Sequence, residues 1–156
     1  MLKKSLFILI SCCMIYSCGV KEEQNPFLAD FQTENGVPPF DEIKMEHYEP
    51  AFLKGIEEQN KNIEEIIDSK EPPTFSNVIE RLDNSSPILD RVGGVFYNLT
   101  SAETTEELTN LSLKLSPILT EQNDNIYLNQ ALFDKVNAVY QNREKEELTT
   151  EQLRLL

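Results

Sequence analysis

The chain has 156 residues, which is enough for at most one domain of ordinary size. With 40% hydrophobic and 26% charged residues, its composition is that of a globular protein and argues against wholesale disorder. Its 14 basic and 27 acidic residues give a net charge of −13, which argues against binding to a nucleic-acid backbone. The single histidine excludes any site that needs two imidazoles.

The first residues have the pattern of a bacterial export signal. A lysine pair precedes an apolar run at residues 6–16, which is shorter than the roughly 20 residues that a membrane-spanning helix needs. Residues 15–18, Ile-Tyr-Ser-Cys, resemble a lipobox, in which the cysteine is lipidated and becomes the first mature residue. We therefore expect residues 1–17 to be a lipoprotein signal peptide and Cys18 to be the lipidation site. An ordinary cleaved signal with an incidental cysteine is the alternative.

The positions of the three cysteines exclude a disulfide as a source of stability for the exported part of the chain. Cys12, Cys13 and Cys18 all lie in or at the end of the signal segment, so the rest of the chain cannot form an internal disulfide. Residues 18–36 are polar and rich in turn formers, and we expect a lipid-anchored tether and an extended lead-in there. The helical region is predicted to span residues 37–156.

Beyond this lead-in, apolar residues recur at the spacing of amphipathic helices. Pro50 is tolerated in the first turn of a helix, so the first helix is predicted to begin near Glu49 and to end before Pro72. Thr74 and Ser86 are expected to cap the second and third helices. The residues predicted to face inward in these three helices are Phe52, Ile56, Ile63, Ile66, Ile67, Phe75, Val78, Ile79, Leu82, Leu89, Val92, Phe96 and Leu99.

Gly93 and Gly94 lie inside the third apolar stripe. Each glycine in a helix interior costs about 1 kcal/mol relative to alanine, so a structural reason is expected. We predict that a neighbouring helix approaches closely at this pair. A local kink is the alternative.

Three further helices are predicted. Thr104, Asn129 and Thr149 are expected to cap them, the first and last through capping boxes. Pro117 lacks an amide proton, so a kink or break is expected near Leu113. The predicted inward residues are Leu108, Leu111, Leu115, Ile118, Leu119, Leu132, Val136, Val139 and Tyr140.

These elements predict an all-α fold, an antiparallel array of helices. No alternation of apolar and polar residues is long enough to indicate a sheet. The last predicted helix is short and lacks a C-terminal cap, and a helix of that length is marginal on its own. We therefore expect the helical region to be truncated at its C-terminal end, as part of a longer chain.

The motifs that carry common hydrolytic or phosphate-binding chemistry are missing from the sequence. It contains no H-E-x-x-H motif, no G-x-S-x-G motif and no phosphate-binding loop. We expect His47 to pack or form a hydrogen bond at the start of a helix and the acidic clusters to be solvated helix faces. From its residues the chain therefore has no predicted catalytic residue and no predicted metal ligand.

Several short motifs in order resemble one family. Asn25–Leu28, Pro39–Ile43 and His47–Phe52 are similar to the opening of the thimet-oligopeptidase-like zinc metallopeptidases. Two later segments, Val95–Ala102 and Asn123–Asn129, agree, and the second favours the peptidyl-dipeptidase (dipeptidyl carboxypeptidase) branch over the oligopeptidase A branch. The resemblance covers residues 25–156 without a large gap.

The resemblance implies a largely helical, bilobed enzyme with a deep channel between its lobes. This chain would form part of the N-terminal lobe and wall the channel, which admits short unfolded peptides. The zinc motif would lie in a catalytic half that these 156 residues lack, where a glutamate activates a zinc-bound water and a C-terminal dipeptide is released. No catalytic residue can therefore be assigned to this chain, and it is expected to bind no zinc and to be inactive alone.

Two hypotheses follow. In the first, the chain is the N-terminal channel-wall region of a lipid-anchored peptidyl-dipeptidase that faces the periplasm or the cell surface. In the second, it is a non-enzymatic acidic lipoprotein, a helical module that binds a partner. Both place the protein in the bacterial cell envelope with a membrane-attached lipid.

Overall fold

The computed structural model describes residues 25–156. The predicted signal peptide, the predicted lipidation site Cys18 and the first part of the predicted tether therefore lie outside the described residues. Over the described range the chain is helical and contains no strand, which confirms the all-α prediction. None of the helices in this range is long and apolar enough to span a membrane.

Six α-helices follow one another in residues 25–156, with shorter helical turns between them. Two 3₁₀ turns, Pro26–Leu28 and Glu34–Gly36, precede the first α-helix, and a π-helical segment, Phe75–Glu80, leads directly into the second. The α-helices are α1 (Met45–Asp68), α2 (Arg81–Asp83), α3 (Pro87–Ala102), α4 (Glu106–Tyr127), α5 (Gln130–Asn142) and α6 (Thr150–Leu155).

Helix α1 is the centre of the fold. α3 packs most extensively on it, and α4 and α5 also lie against it, whereas α3 and α4 contact each other little. Because both α3 and α4 rest on α1 without closing on one another, an open groove separates them.

Two clusters of buried side chains lie along α1. Near its N-terminus, aromatic and aliphatic side chains of α1, α3 and α4 surround Phe27, which is fully buried although it precedes the first α-helix. Near its C-terminus, Ile63 and Ile66 pack against the π-helical segment and α5. The first cluster comprises Phe27, Tyr48, Ala51, Phe52, Val92, Val95, Phe96, Leu108 and Leu115, and the second comprises Ile63, Ile66, Phe75, Val78, Ile79, Leu132 and Val139.

The predicted start of the first helix is wrong by about one turn. α1 begins at Met45 rather than near Glu49, so Pro50 lies inside it. Two contacts favour the earlier start: the Lys44 backbone N–H donates to Nδ1 of His47 at 3.1 Å, and Tyr48 is buried in the first cluster. The predicted role of His47, a hydrogen bond at the start of a helix, is confirmed.

Most predicted caps are confirmed, and one is displaced. The side-chain oxygens of Thr74, Ser86, Asn129 and Thr149 each accept a backbone N–H three residues ahead. The cap of α4 is Thr105 rather than Thr104. The Thr104 hydroxyl instead donates to the Thr100 carbonyl, near the end of α3, at 2.8 Å.

Two further expectations concern α4 and α5, and the break expected near Leu113 does not occur. α4 runs unbroken across Pro117, where the proline removes one backbone hydrogen bond while Leu115 and Gln122 on either side stay buried. Tyr140 was expected to face inward but is 46% exposed. Its ring lies 4.1 Å from the guanidinium carbon of Arg143, a cation–π contact at the surface.

The glycine that permits close helix packing is not one of the predicted pair. A β-carbon at Gly93 would meet only the Tyr97 ring at 3.6 Å, and one at Gly94 would meet nothing within 4 Å. At Gly55 of α1, a β-carbon would lie 2.7 Å from the Leu89 side chain. The close approach of α1 and α3 therefore depends on Gly55.

Candidate functional site

The residues considered for chemistry from the sequence do not assemble a catalytic site in the described region. Cys18 lies outside that region. His47 is buried with Nδ1 engaged by the backbone N–H of Lys44. Across residues 25–156, no group of three or more histidine, cysteine, aspartate or glutamate side chains is placed to hold a metal ion. This part of the chain therefore does not fit a zinc site.

A belt of polar side chains lies between the two apolar clusters. Gln122 of α4, which is 5% exposed, donates through Nε2 to Oε1 of Gln59 at 2.9 Å and to Oδ1 of Asn60 at 2.8 Å. Nε2 of Gln59 in turn donates to the Ser85 hydroxyl at 3.3 Å. These bonds connect α1, α4 and the segment before α3, and they fix the amide of Gln122 in position.

The belt forms one wall of the groove between α3 and α4. The recess at this point has a volume of about 260 Å³, and Gln122, Tyr97, Gly93 and Asp90 contribute to its lining. A second recess of similar size continues along the same two helices and shares Tyr97 with the first. The groove therefore runs along α4 from Ser112 to Asn123.

Three residues of α3 shape the groove. Asp90, Gly93 and Tyr97 follow one another at i, i+3 and i+7, so they lie on one face of the helix. Because Gly93 has no side chain, the space between the Asp90 carboxylate and the Tyr97 ring stays open. The Tyr97 ring is half exposed and is supported by edge contacts with Phe52 and Phe96, whose ring centroids lie 6.4 and 5.5 Å away.

None of these residues is predicted from the sequence to line a groove, although Gly93 stands out in the third apolar stripe. One signal was present: a glycine pair in an otherwise regular helix marks a place where space is kept free, although the free space is at the surface and not between packed helices. A second signal was Gln122, a polar residue at helical spacing from Leu115 and Leu119 on the inward face of α4.

Within the described residues, the lining of the groove holds no nucleophile paired with a base. Its lining combines an aromatic face, amide groups and the carboxylates of Asp83 and Asp90. These groups suit recognition of a polar or cationic chain by stacking and hydrogen bonding.

Comparison with characterised proteins identifies two groups of relatives. The chain is 39% identical over 132 residues to the dipeptidyl carboxypeptidases of Salmonella typhimurium and Escherichia coli, a match that covers 85% of this chain and 19% of each enzyme. It is 29% identical over 97 residues to oligopeptidase A of Escherichia coli, covering 62% of this chain and 14% of that protein. No family model matches the chain.

The chain thus spans about a fifth of the length of the dipeptidyl carboxypeptidases it matches. Identity is higher to these enzymes than to oligopeptidase A, in agreement with the branch that its motifs favoured. By sequence, the chain is therefore related to the thimet-oligopeptidase-like peptidases, the family of dipeptidyl carboxypeptidase and oligopeptidase A.

Proposed function

We propose that this chain is a helical wall segment of a zinc metallopeptidase that releases C-terminal dipeptides from oligopeptides. The observation that carries the proposal is the 39% identity over 132 residues to two dipeptidyl carboxypeptidases. The open groove between α3 and α4 supports a role in contacting peptide, because its aromatic and amide lining suits an extended chain.

The hydrolytic step is assigned to another part of the same polypeptide. The described residues do not hold a metal cluster, and the only histidine of the chain is engaged in the start of α1. We therefore derive no catalytic step on these residues. In this proposal they bind and restrict peptide substrate, while zinc and its ligands come from sequence beyond these 156 residues.

The proposal also places the enzyme in the bacterial cell envelope, attached through lipid on Cys18. Its support is the sequence pattern alone: a lysine pair, a short apolar run and a lipobox-like end. A peptidase in that position would act on oligopeptides outside the inner membrane.

The test is a peptidase assay on the complete product of the reading frame that contains this sequence. The substrate is an N-acetylated hexapeptide of alanine, and the products are identified by mass spectrometry. We expect successive release of Ala-Ala from the C-terminal end, and its loss on treatment with a chelator. The 156-residue chain alone serves as the control and should release no dipeptide.

Two results would contradict the proposal. One is a reading frame whose complete product contains no H-E-x-x-H motif and cleaves no peptide, which would favour the binding-module hypothesis. The other is cleavage that releases single residues or internal fragments and never a C-terminal dipeptide.

A further inference from the structure

The junction between α4 and α5 exposes three large apolar side chains close together in the chain. Tyr127 is 83% exposed, Leu128 80% and Phe133 58%. Leu128 directly precedes the cap of α5, and Phe133 is the fourth residue of that helix. These are the two positions of a hydrophobic staple, which lie on the same side of a helix start. We call Tyr127, Leu128 and Phe133 the junction patch.

Hydrogen bonds fix the backbone that carries the junction patch. At the end of α4, the Leu128 N–H donates to the Asp124 carbonyl at 2.9 Å. At the start of α5, the Leu132 N–H donates to the Asn129 side chain at 3.0 Å. Both helix ends are therefore closed, and the exposure of the patch does not come from a frayed terminus.

The residues on either side of the junction patch prevent it from turning inward. Ile126 and Leu132 both belong to the second apolar cluster, in which Leu132 is 3% exposed. Successive residues of a helix point in different directions, so a rotation that buried Leu128 or Phe133 would expose Ile126 and Leu132. Burial of the patch therefore requires another surface, and exposed apolar groups of this kind mark interaction sites.

The position of Leu156 indicates which surface that is. Leu156, the last of these 156 residues, packs against the second apolar cluster, which also contains Leu132 in the first turn of α5. About four-fifths of each dipeptidyl carboxypeptidase lies outside its match to this chain. Under the proposed function, the same polypeptide continues for a comparable length, and it continues from the cluster that α5 contacts.

The charges around the junction patch disfavour two other occupants. Asp124 lies one helical turn before Leu128, Asp134 follows Phe133, and both aspartates are exposed. Two copies of a chain with a net charge of −13 would bring these carboxylates together, and an anionic lipid surface would repel them as well. The patch therefore suits a surface that is apolar at its centre and neutral or basic at its rim.

We propose that the junction patch is the surface on which the downstream part of the same polypeptide docks. The inference rests on the proposed function, which assigns the zinc site to that downstream part. It adds the residues of this chain that make the contact, namely Tyr127, Leu128 and Phe133.

The experiment measures the protection of single cysteines in the complete product of the reading frame. Leu128→Cys places a thiol on a largely exposed side chain of this chain, so the helices should be unaffected. Glu64→Cys, at an exposed position of α1, is the matched control. Reaction with a maleimide is followed by mass spectrometry of the peptide that carries each cysteine. The ratio of the rates in urea and in native buffer gives the protection.

We expect Leu128→Cys to be protected at least about 100-fold and Glu64→Cys less than about tenfold. The protection at Leu128 should be the same after dilution of the protein, and the same in detergent micelles and in lipid vesicles. Protection that disappears on dilution would assign the patch to a second copy, and protection found only in vesicles would assign it to lipid. Either result overturns the proposal, as does equal protection of the two positions.

A charged variant tests the same contact through stability. Leu128→Asp should lower the melting temperature of the complete product by several degrees, because it places a carboxylate in an apolar contact. It should leave the melting temperature of the 156-residue chain unchanged, since the side chain is exposed there. Both are followed by circular dichroism in the same detergent. An equal decrease in both proteins would mean that Leu128 acts within this chain, which overturns the proposal.

These measurements are separate from the peptidase assay. If the complete product releases dipeptides while Leu128→Cys reacts freely, this inference fails and the proposed function stands. If Leu128→Cys is protected but no dipeptide is released, the proposed function fails and the docking surface stands.

Discussion

Gly55 of α1 lies directly against Leu89 of α3: a β-carbon at Gly55 would stand 2.7 Å from Leu89 Cγ and 2.9 Å from the Leu89 backbone nitrogen. The Ser86 hydroxyl, which caps α3, donates to the Gly55 carbonyl at 3.0 Å in the same place. The cap of one helix and the glycine of the other therefore fix a single contact point. The position of α3 on α1, and with it one wall of the groove, depends on this point.

Replacing Gly55 with alanine should destabilise the protein. The added methyl would overlap backbone as well as side chain, which costs about 1–3 kcal/mol even after the gain of about 1 kcal/mol in helix propensity. Urea unfolding followed by circular dichroism measures the change. Gly94→Ala is the control and should raise the free energy of unfolding by about 1 kcal/mol, since its position is open. A Gly55→Ala protein as stable as Gly94→Ala would contradict the packing described.

Gln122 should contribute more to stability than an exposed glutamine with a similar bond. Gln122→Ala removes the donor to Gln59 and Asn60 and leaves partly buried acceptors unpaired, so we expect a loss of about 1–3 kcal/mol. Gln130→Ala removes an exposed bond to Asp134 of 2.8 Å and should cost about 0.5 kcal/mol or less. The same unfolding experiment compares them, and equal losses would show that the belt is not a structural element.

Tyr48 should make the protein less stable at high pH. Burial raises the pKa of its hydroxyl above the ordinary tyrosine value of 10.0, and the hydroxyl has no hydrogen-bond partner in the described region. Above pH 10 the unfolded chain loses this proton while the folded chain keeps it, so the free energy of unfolding falls until the pH passes the folded pKa.

Tyr48→Phe should abolish the part of the stability loss above pH 10 that comes from this hydroxyl. At neutral pH it should raise the free energy of unfolding by about 1 kcal/mol, because the unpaired hydroxyl is eliminated. Unfolding measured between pH 7 and pH 11 tests both effects. Tyr127→Phe, on a side chain that is 83% exposed, should leave the neutral stability unchanged. A destabilised Tyr48→Phe variant would mean that the hydroxyl has a partner, such as a bound water.

Lipid attachment should depend on Cys18 alone. Cells grown with an alkyne-labelled fatty acid should incorporate label into the wild-type chain and not into Cys18→Ser. Cys12→Ser, within the apolar run, is the matched control and should keep the label. Label that survives in Cys18→Ser would contradict the lipobox interpretation.

The helices and their caps could be predicted because the physics that forms them is local. Thr74, Ser86, Asn129 and Thr149 each cap a helix through a backbone N–H three residues away, so the pattern is readable within a single turn. The predicted cap of α4 and the predicted start of α1 are wrong, and in both places another contact competes with the local capping hydrogen bond. Thr104 bonds back to α3, and the burial of Tyr48 accompanies an earlier start of α1.

Which glycine permits the close packing of α1 and α3 could not be predicted from the local sequence. Gly93 and Gly94 are conspicuous as a pair, yet the close contact is made by the isolated Gly55, since that contact depends on where Leu89 lies in space. Likewise, Phe27 is one of several scattered apolar residues in the lead-in, and only the packing around it shows that it belongs to the first apolar cluster.

By itself, the sequence determined that this chain is helical, where most helices begin, and to which peptidases it is related, because periodicity, capping and motif order are properties of neighbouring residues. The tertiary structure alone decided that α3 and α4 stand apart on α1, with Asp90, Gly93, Tyr97 and Gln122 facing the gap. Such an arrangement depends on the angles at which helices distant in the chain pack, and no single segment encodes those angles.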